Sequence, residues 1–485
     1  MAGAGPRDGG GIARSGPGDA ASRAGRGALD AGGLSTRSHS SETASLPGGA
    51  TEVIRALRRA GHQAYLVGGA VRDRLLGRPA HDQDVVTDAR PDAIAALFPR
   101  IVPVGAAFGV VLVQTVEGLV EVATFRREGP YLDGRHPSFV EFATRDDDVR
   151  RRDFTVNALL YDPVDDQILD LVGGRADLAA RRIRTVGIPD ARFAEDRLRM
   201  LRAIRLAVEL EFSIEEETYA AVVRHAPAIR EVSAERIRDE LLRLLTAPGR
   251  GGGLDILRAA GLLREMLPEV AAMDGVPQPP EFHPEGDVFI HTRLALSHLR
   301  DPSPVLALGV LLHDVGKPPT FEVADRIRFN GHAEVGAEIA EVICRRLRLS
   351  SEDGERVVAL VREHLRFIVL QQMRPARLKR FLARPDFPDH LELHRVDCLA
   401  SHRDLSTWAW AREAAARLSE DERRPPRLLT GEDLIGLGYL PGPRFREMLD
   451  AVVDAQLEGT VRTKEEALAL LTREFPQENT PSGRN

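Results

Sequence analysis

The chain has 485 residues, of which 43% are hydrophobic and 29% charged, values typical of a soluble globular protein with a substantial core. At about 100–200 residues per domain, this length indicates about two to four domains. The net charge of −7 argues against a protein that coats nucleic acid without specificity, although local arginine clusters could still bind RNA. The 2 cysteines favour a reducing compartment, the cytoplasm, and no apolar run is long enough to cross a membrane.

The first part of the chain, residues 1–49, is rich in Gly, Ala, Ser and Arg and lacks the apolar segment of a secretory signal. We therefore expect a disordered tail there. Order begins near Thr51, where TEVIRALRRAG predicts an amphipathic helix that ends at Gly61.

The stretch Tyr65–Thr87 reads YLVGGAVRDRLLGRPAHDQDVVT and begins with an apolar predicted strand. Gly68 and Gly69 follow this strand, and a backbone without Cβ atoms can turn tightly and approach a phosphate closely. A short predicted helix comes next, with Arg72 near its N-terminal end, where it can meet an anion. This order of features predicts a phosphate-binding turn, although a plain surface turn has the same local pattern.

Acidic residues provide the second half of a predicted nucleotide site. Asp82 and Asp84 are two residues apart on a predicted strand and so point to one face, where Mg²⁺ would offset their mutual repulsion. Two later apolar strands, Val110–Val116 and Leu119–Phe125, form a predicted hairpin, and Glu121 lies in the second. If that strand neighbours the DxD strand in a mixed sheet, Glu121 supplies a third carboxylate. An exposed strand glutamate fits the pattern equally well.

The block RRDFTVNA predicts the arginine-rich start of a helix, in which Arg152 and Asp153 offer phosphate and ribose contacts. The alternative is a solvated, charge-paired face. Asp170-Leu171-Val172-Gly173-Gly174 then predicts a turn.

The stretch FAEDRLRMLRAIRL predicts one continuous helix over residues 193–206. Its polar residues recur every three positions along one stripe, and their acceptors and donors suit the Watson–Crick edge of a base: Asp196, Arg199, Arg202 and Arg205. Intrahelical ion pairs are the alternative. The lack of matching acids after Asp196 argues against it, because three arginines would then require an external anion.

Later helices carry a second group of candidate residues. Val232–Leu245 is a predicted helix in which Arg236 and Glu240 are spaced to pair, and the glycine run Gly249–Gly253 predicts a break. Residues 275–292 are dense in Pro and Gly and predict a linker. The helices beyond it hold a metal-site pattern that buried, mutually bonded histidines would also explain: His291, His313, Asp314, His332 and Asp397, with Asp404 as a substitute for Asp397.

Four blocks in this order, GGAVRD, DxD, RRDFTVNA and EDRLRMLR, resemble the class II tRNA nucleotidyltransferase and bacterial poly(A) polymerase family, from about residue 50 to the C-terminus. His313-Asp314 resembles the HD domain of many bacterial members. The resemblance implies an α+β fold with a small mixed-sheet, polymerase-beta-like nucleotidyltransferase head and helical domains behind it. The implied division is a disordered tail 1–49, a head 50–180, a base-reading and RNA-binding neck 181–275, an HD-type domain 276–410 and a helical tail 411–485.

Residue roles follow from the same resemblance. It implies three catalytic carboxylates, the first two of which bind Mg²⁺: Asp82, Asp84 and Glu121. It also implies a set of residues that contact the triphosphate, the ribose and the base of the nucleotide: Gly69, Arg72, Arg152, Asp153, Asp196, Arg199, Arg202 and Arg205.

The implied activity is template-independent addition of C, C and A to the 3′ end of tRNA from CTP and ATP, with release of pyrophosphate. Arg126–Pro137 resembles the flexible loop that members need to add A after C, which argues against a CC-only enzyme. Val104–Gly109 lacks the arginines of the GRRF-like segment of many poly(A) polymerases, which favours CCA addition.

Two alternatives stay open. One is an A-adding enzyme or poly(A) polymerase of the same family. The other belongs to another class, an HD-type metal phosphohydrolase with a non-catalytic RNA-binding front half. The oligomeric state and the metal of the HD region also stay open.

Overall fold

A computed structural model describes residues 48–79, 83–105, 109–129 and 139–476, all within the unit Ala44–Asn485. The predicted N-terminal tail, Asp82, and most of the predicted flexible loop fall outside these residues, as does the centre of the segment compared with GRRF. Among the residues described, every helix is too short or too polar to span a lipid bilayer.

The head is built on a mixed seven-stranded sheet with the order β3-β4-β5-β2-β1-β8-β9. In it β2 and β5 run parallel, whereas the other neighbouring strands are antiparallel. The elements are α1 Gly48–Arg59, β1 Ala64–Val67, α2 Gly69–Leu75, β2 Asp84–Thr87, α3 Pro91–Leu97, β3 Ile101–Gly105, β4 Val110–Thr115, β5 Gly118–Thr124, β6 Arg126–Glu128, β7 Val140–Phe142, α4 Arg145–Arg150, β8 Leu160–Asp162, β9 Gln167–Leu169 and α5 Gly174–Ala179. The predicted hairpin and the α+β class are confirmed.

Alternation along the central strands gives this sheet two apolar faces. Val85 and Val122 pack into a core that includes helix α1, while Val86 packs on the opposite face with Phe125. Because successive residues of a strand point to opposite sides, Asp84 lies on the same side as Val86. The second face therefore carries the carboxylate of Asp84 at the edge of its apolar core.

The neck contains β10 Arg182–Ile183, α6 Pro189–Glu195, α7 Leu198–Leu210, β11 Ser213–Ile214, α8 Glu216–His225, α9 Ala234–Thr246, α10 Arg250–Ala259, α11 Leu262–Met266 and α12 Pro268–Ala271. The predicted single helix over residues 193–206 is wrong, since α6 and α7 are separated at Asp196. The backbone of Asp196 is extended, with φ −143° and ψ 108°, and its Oδ1 accepts a hydrogen bond of 3.1 Å from Leu198 N. An aspartate side chain that bonds nearby backbone competes with continuous helix.

The predicted break is shorter and earlier than expected: residues 247–249 separate α9 from α10, and Gly251, Gly252 and Gly253 lie inside α10. A Cβ atom on Gly251 would lie 2.0 Å from Ser297 Oγ, and one on Gly253 would lie 2.8 Å from Val208 Cγ2. These glycines therefore allow α10 to pack closely against neighbouring helices, and this packing outweighs the low helix propensity of glycine.

The remaining helices follow a Pro-rich stretch without helix or strand, although residues 288–292 of the predicted linker already form the start of the first of these helices. They are α13 Val288–His298, α14 Pro304–Leu312, α15 His332–Arg346, α16 Ser351–Glu363, α17 Pro375–Leu382, α18 Phe387–Ala400, α19 Ser406–Arg417, α20 Glu420–Arg423, α21 Gly431–Gly436, α22 Arg444–Leu457 and α23 Lys464–Glu474, with a hairpin of β12 Glu322–Val323 and β13 Ile327–Arg328 after α14.

Helix α7 joins the head to the helical part of the chain. Leu201 and Ile204 pack into a core that continues through the helices up to α18, whereas Leu206 and Leu210 pack into the core of the head. Helix α7 thus has buried side chains on two sides, and its polar residues lie between the head and the helical region. The predicted domain boundaries at residues 180, 275 and 410 stay predictions.

Candidate active site

Two acidic residues meet at the centre of the head sheet. Asp84 begins β2 and is paired in parallel register with Glu121 on β5. Registered residues on adjacent strands point to the same face about 4.8 Å apart, so both carboxylates lie side by side. The side chain of Asp84 is half-buried and that of Glu121 is exposed, which leaves the pair accessible to a ligand. The predicted neighbourhood of Glu121 and the DxD strand is confirmed.

The glycine turn lies beside this pair. Gly68 has φ +78°, in the left-handed region, and a Cβ atom there would lie 3.6 Å from Asp84 Oδ2. Gly69 begins α2, and the guanidinium of Arg72 folds back to within 3.4 Å of the position of a Cβ on Gly69. The turn therefore brings a backbone without side chains and one arginine next to the carboxylates.

Hydrogen bonds fix the direction of the Arg72 side chain. Its Nη1 donates to Asn157 Oδ1 at 2.7 Å, and its Nε donates to Asp73 Oδ1 at 2.9 Å. The side chain of Asn157 also bonds Asp153. Asn157 thus links the arginine of the turn to the aspartate of the RRDFTVNA block.

Asp153 in turn connects the head to the neck. Its Oδ2 accepts from Arg202 Nε at 3.0 Å, and its Oδ1 accepts from the backbone of Phe154 at 2.8 Å. Burial raises the pKa of the Asp153 carboxyl, but the charges of Arg202 and Arg199 outweigh this effect and hold it below its usual range. Asp153 is therefore an ionised carboxylate at the interface of the two regions.

The predicted helix start at RRDFTVNA is wrong. Helix α4 ends at Arg150, and the block forms a turn followed by a 3-10 segment over Thr155–Asn157. Arg152 Nη2 donates at 3.0 Å to Asp148 Oδ2, a carboxylate that α4 buries. Arg152 thus has a carboxylate partner within the protein, and its predicted contact with phosphate or ribose stays a prediction.

Carboxylates also pair with the arginines of α7, contrary to the expectation that they would require an external anion. Arg199 Nη1 lies 2.6 Å from Glu195 Oε2, and Arg202 Nη2 lies 2.9 Å from Asp153 Oδ2. Arg205 pairs with Glu240 on α9 and with Glu209. Glu195 ends α6, Asp153 belongs to the head and Glu240 belongs to α9, so the spacing after Asp196 does not reveal them. Glu209, in contrast, follows Arg205 by four residues on α7 itself, so this pair is the intrahelical alternative.

Helix α9 holds both ends of this arginine stripe. Arg236 Nη2 donates at 2.7 Å to Asp196 Oδ2, and Glu240 pairs with Arg205, so the predicted Arg236–Glu240 pair is wrong. The side chain of Arg202 is 36% exposed, whereas that of Arg205 is 8% exposed. The geometry of Arg205 therefore fits a structural role better than the predicted nucleotide contact.

A second cluster lies among the HD-type helices. His291 Nε2 is 3.3 Å from His313 Nε2 and 3.1 Å from Asp397 Oδ1, and Asp314 Oδ2 is 3.3 Å from His313 Nε2. The fifth predicted residue, His332, has its Nε2 3.6 Å from Asp314 Oδ1, so all five predicted residues converge. Asp404 is exposed and accepts a hydrogen bond from the backbone N–H of Ser406. The alternative in which Asp404 takes the place of Asp397 in the cluster is therefore wrong.

Charged neighbours shift the titration of this cluster. Burial lowers the pKa of His291, but Asp397 and Glu285 outweigh it and raise that pKa to about 9. Burial raises the pKa of Glu285, and the bonds from His283 and His291 lower it to about 2. The pKa of Asp397 is likewise held below its usual range, against the effect of burial, by its bond to His291. A dense group of carboxylates and imidazoles is a common form of metal site.

Two comparisons assign these regions to known sequence profiles and proteins. Residues 64–184 match the profile described as "Poly A polymerase head domain", residues 211–273 match "Probable RNA and SrmB- binding site of polymerase A" and residues 283–395 match "HD domain". A CCA-adding enzyme of Geobacillus thermodenitrificans is 44% identical over 211 residues, 43% of this chain and 52% of that protein.

A CCA-adding enzyme of Latilactobacillus sakei is 38% identical over 270 residues, which are 54% of this chain and 67% of that protein. The chain belongs to the tRNA nucleotidyltransferase and poly(A) polymerase family. The match spans about half the length of most of these curated relatives. It covers 52% of the Geobacillus thermodenitrificans protein and 50% of the CCA-adding enzyme of Enterococcus faecalis.

Solved structures of this family share the fold. The crystal structure of the Bacillus stearothermophilus CCA-adding enzyme in complex with CTP superposes with a TM-score of 0.67 at 28% identity and covers 88% of this chain and 97% of that chain. A Thermotoga maritima CCA-adding enzyme complexed with tRNA has a TM-score of 0.55 at 18% identity, over 87% of this chain and 94% of that chain, which shows the fold alone.

Sequence reasoning missed three groups in this family member: Asn157, Glu240 and His364. Asn157 stands inside the quoted RRDFTVNA block, four residues after Asp153, so the block itself contained it. Glu240 follows Ile237 by three residues on the apolar face of α9, and an acid at a buried position indicates a buried partner. His364 Nε2 lies 3.2 Å from His332 Nε2 on α15, and no local pattern marks it because this partner belongs to another helix.

Proposed function

We propose that the chain is a CCA-adding enzyme of the cytoplasm, which adds C, C and A to the 3′ end of tRNA from CTP and ATP and releases pyrophosphate. The observation that carries the proposal is the parallel register of Asp84 and Glu121 beside the Gly68 turn, in a chain whose curated relatives are CCA-adding enzymes. One relative of known structure contains CTP.

We call the adjacent side chains of Asp84 and Glu121 the carboxylate edge. It fits Mg²⁺, because hard cations prefer oxygen ligands and two carboxylates on one face repel each other without a cation. Asp82 and Asp84 would hold the ion, with Glu121 as the third carboxylate. Bound there, Mg²⁺ supplies Lewis-acid activation of the RNA 3′-hydroxyl and stabilises charge at the α-phosphate and on the leaving pyrophosphate.

The residues around this edge position the nucleotide. The Gly68-Gly69 backbone admits the triphosphate, and Arg72 neutralises part of its charge from a direction that Asn157 fixes. Arg152 and Asp153 lie next along the polar network and address the phosphates or the ribose. Their existing ion pairs must partly exchange for contacts with the substrate when it binds.

Selection of the base belongs to Asp196 and Arg199. An aspartate accepts hydrogen bonds from the exocyclic amino groups that cytosine and adenine both have, and an arginine donates to their ring acceptors. Guanine and uracil would leave these groups poorly paired, at a cost of about 1–3 kcal/mol for each unsatisfied group. Arg236 and Glu195 hold the two side chains before a nucleotide binds.

The decisive experiment uses purified protein and three tRNA substrates, which end before the first C, after C and after CC. Each is incubated with each nucleotide separately, and product lengths are measured. We expect C addition to the first two and one A on the third. If the protein adds A to the CC substrate and no C to the other two, it is an A-adding enzyme. Long A tails would identify a poly(A) polymerase.

A second candidate function belongs to the HD-type cluster, where His291, His313, Asp314 and Asp397 converge. These are suitable ligands for a divalent cation that activates water against a phosphoester. The test is hydrolysis of p-nitrophenyl phosphate by the full chain with added divalent cations. Asp314→Asn should abolish hydrolysis, and Asp84→Asn should leave it intact. No hydrolysis by the wild type would reject this function.

A further inference from the structure

The short helix α2, which follows the glycine turn, ends in a hydrogen-bonded motif that fixes the direction of the chain. Gly77 has φ +66°, in the left-handed region. Its N–H donates at 3.1 Å to the carbonyl oxygen of Arg74, and the N–H of Arg78 donates at 2.8 Å to that of Asp73. These two bonds form a Schellman motif, which satisfies carbonyls at the end of a helix. The backbone of Arg78 is therefore fixed directly after α2.

Helix α7 ends in the same kind of motif. Glu211 has φ +56°, its N–H donates to the carbonyl oxygen of Val208, and the N–H of Phe212 donates at 2.9 Å to that of Ala207. The last four carbonyls of a helix lack donors within the helix. The motif supplies donors to Val208 and Ala207 but not to Glu209, so the carbonyl of Glu209 can accept a hydrogen bond from another part of the chain.

The side chain of Arg78 provides this hydrogen bond. Its Nη1 donates at 3.1 Å to the carbonyl oxygen of Glu209. A guanidinium is always charged, and a cation is favourable at the C-terminal end of a helix, where the helix dipole is negative. A hydrogen bond from a charged donor is also stronger than one between neutral groups. Arg78 thus joins the end of α2 in the head to the end of α7.

Helix α7 gives this link a firm support. Leu206 and Leu210 are buried in the core of the head, close in sequence to the accepting carbonyl. The side chain of Glu209 pairs with Arg205, which also pairs with Glu240 on α9. The end of α7 is therefore held by apolar packing and by ion pairs.

The segment after α2 is less buried than the helix to which it is bonded. From Leu75 to Pro79, only Leu76 and Arg78 are half-buried, and the other three residues are exposed. Segments with few buried apolar contacts open locally at a low free-energy cost. A charged hydrogen bond to a buried helix therefore restricts the movement of this segment.

Functional candidates lie on both sides of this segment. Helix α2 begins at Gly69, in the glycine turn proposed to admit the triphosphate. Asp84 begins β2 and follows Arg78 by six residues. Arg199, proposed to read the base, lies on α7 itself. The hydrogen bond from Arg78 therefore connects the part of the head that holds the phosphates and the metal to the helix that reads the base.

We propose that Arg78 is a positioning residue that holds the glycine turn and the carboxylate edge at a fixed distance from the base-reading residues of α7. The inference rests on the proposed function and adds to it a residue that acts without touching the nucleotide. One nucleotide must contact both regions at once, and a displacement of about 1 Å between groups that align a substrate can lower the rate about 100-fold.

The test is the measurement of kcat and KM for CMP addition to a tRNA that ends before the first C. Arg78→Met keeps an apolar stem but donates no hydrogen bond. We expect its kcat to fall about tenfold and its KM for CTP to change less than about threefold, because contacts with the nucleotide persist while their alignment is lost. Arg78→Lys, which keeps a charged donor, should have a kcat within about threefold of the wild type.

Hydrogen exchange is a second readout, and it does not depend on activity. In the peptide of residues 71–78, Arg78→Met should exchange about tenfold faster than the wild type, because the segment opens more easily without its hydrogen bond. The matched control is Arg55→Met, at an exposed position of α1 in the same head. This variant should keep the kcat and the exchange rate of the wild type.

An unchanged kcat or an unchanged exchange rate in Arg78→Met would overturn the proposal. A kcat of Arg78→Lys as low as that of Arg78→Met would also overturn it, because a charged donor would then not be sufficient. If circular dichroism shows that Arg78→Met does not fold, Arg78→Gln decides in its place, since its shorter side chain does not reach Glu209. A wild type that adds no CMP would reject the proposed function, and the exchange rates alone would then decide whether Arg78 holds the segment.

Discussion

The head site and the HD-type cluster organise polar residues in opposite ways. In the head, Asp84 and Glu121 lie on central strands and are accessible to a ligand, and the nucleotide-binding candidates are held by ion pairs that reach across to α9. In the HD-type cluster, His291 and His313 are 0% and 1% exposed, and hydrogen bonds fix their ring orientation.

This difference matches different chemical demands. A site that selects C and later A without a template must change the contacts it makes, and ion pairs at a partly exposed interface can exchange partners. A metal cluster gains affinity when its ligands are fixed before the ion arrives. We therefore expect separate substitutions in the head and neck to affect catalysis, stability and nucleotide choice in turn, and to leave metal binding by the HD-type cluster unchanged.

The largest expected effect is on catalysis by the carboxylate edge. Asp84→Asn, like Asp82→Ala, should lower the rate of CMP and AMP incorporation at least about a thousandfold. The bound cation stabilises the transition state by several kcal/mol, and each substitution removes one of its charged ligands. Binding of tRNA should not change. Asp88→Asn, just after β2, is the control and should keep full activity. Turnover of Asp84→Asn close to the wild type would remove the polymerase assignment.

The sequence predicts this edge well because its parts are local. The glycine turn, the strand that begins at Asp84 and the alternation around Glu121 are each visible within a few residues, and only the pairing of β2 with β5 requires the fold. The partners of the arginines were not predictable in the same way. Glu240 meets Arg205 across two helices, and His332 meets His364 across a distance in sequence that no spacing rule covers.

The next largest effect concerns the stability of the head–neck network. Glu240 is buried and pairs with Arg205, so Glu240→Ala leaves an arginine buried without that partner and should lower the free energy of unfolding by about 3–5 kcal/mol. Urea unfolding measures the change. Glu235→Ala, at an exposed position of the same helix, should change it by less than about 0.5 kcal/mol. Equal effects would show that Glu240 does not stabilise the interface.

A smaller effect is expected on nucleotide choice. Arg199→Ala removes a donor to the base, and the preference for CTP over UTP, measured as the ratio of kcat/KM values, should fall about 10- to 100-fold. Arg197→Ala, whose arginine pairs with Glu231 outside the stripe, is the control. An unchanged preference in Arg199→Ala would assign base reading to other residues.

The smallest effect is a dependence of stability on pH. Arg202 and Arg199 hold the pKa of Asp153 below its ordinary value of 3.8. Its folded form therefore binds fewer protons than the unfolded chain in this range, so its ionic contribution to stability is present above about pH 4 and is lost as the pH falls through the lowered pKa. Asp153→Asn should be less stable than the wild type at pH 7 and lose less stability between pH 5 and 3.

Thermal unfolding at several pH values measures this loss for the two proteins. Asp165→Asn is the control, since Asp165 is an exposed aspartate whose pairing with Arg58 lies at the surface. It should follow the wild-type pH curve. Parallel curves for Asp153→Asn and the wild type would mean that Asp153 does not couple the head to α7 through charge. A flatter curve for Asp153→Asn would place the ionic link between the head and α7 at this carboxylate.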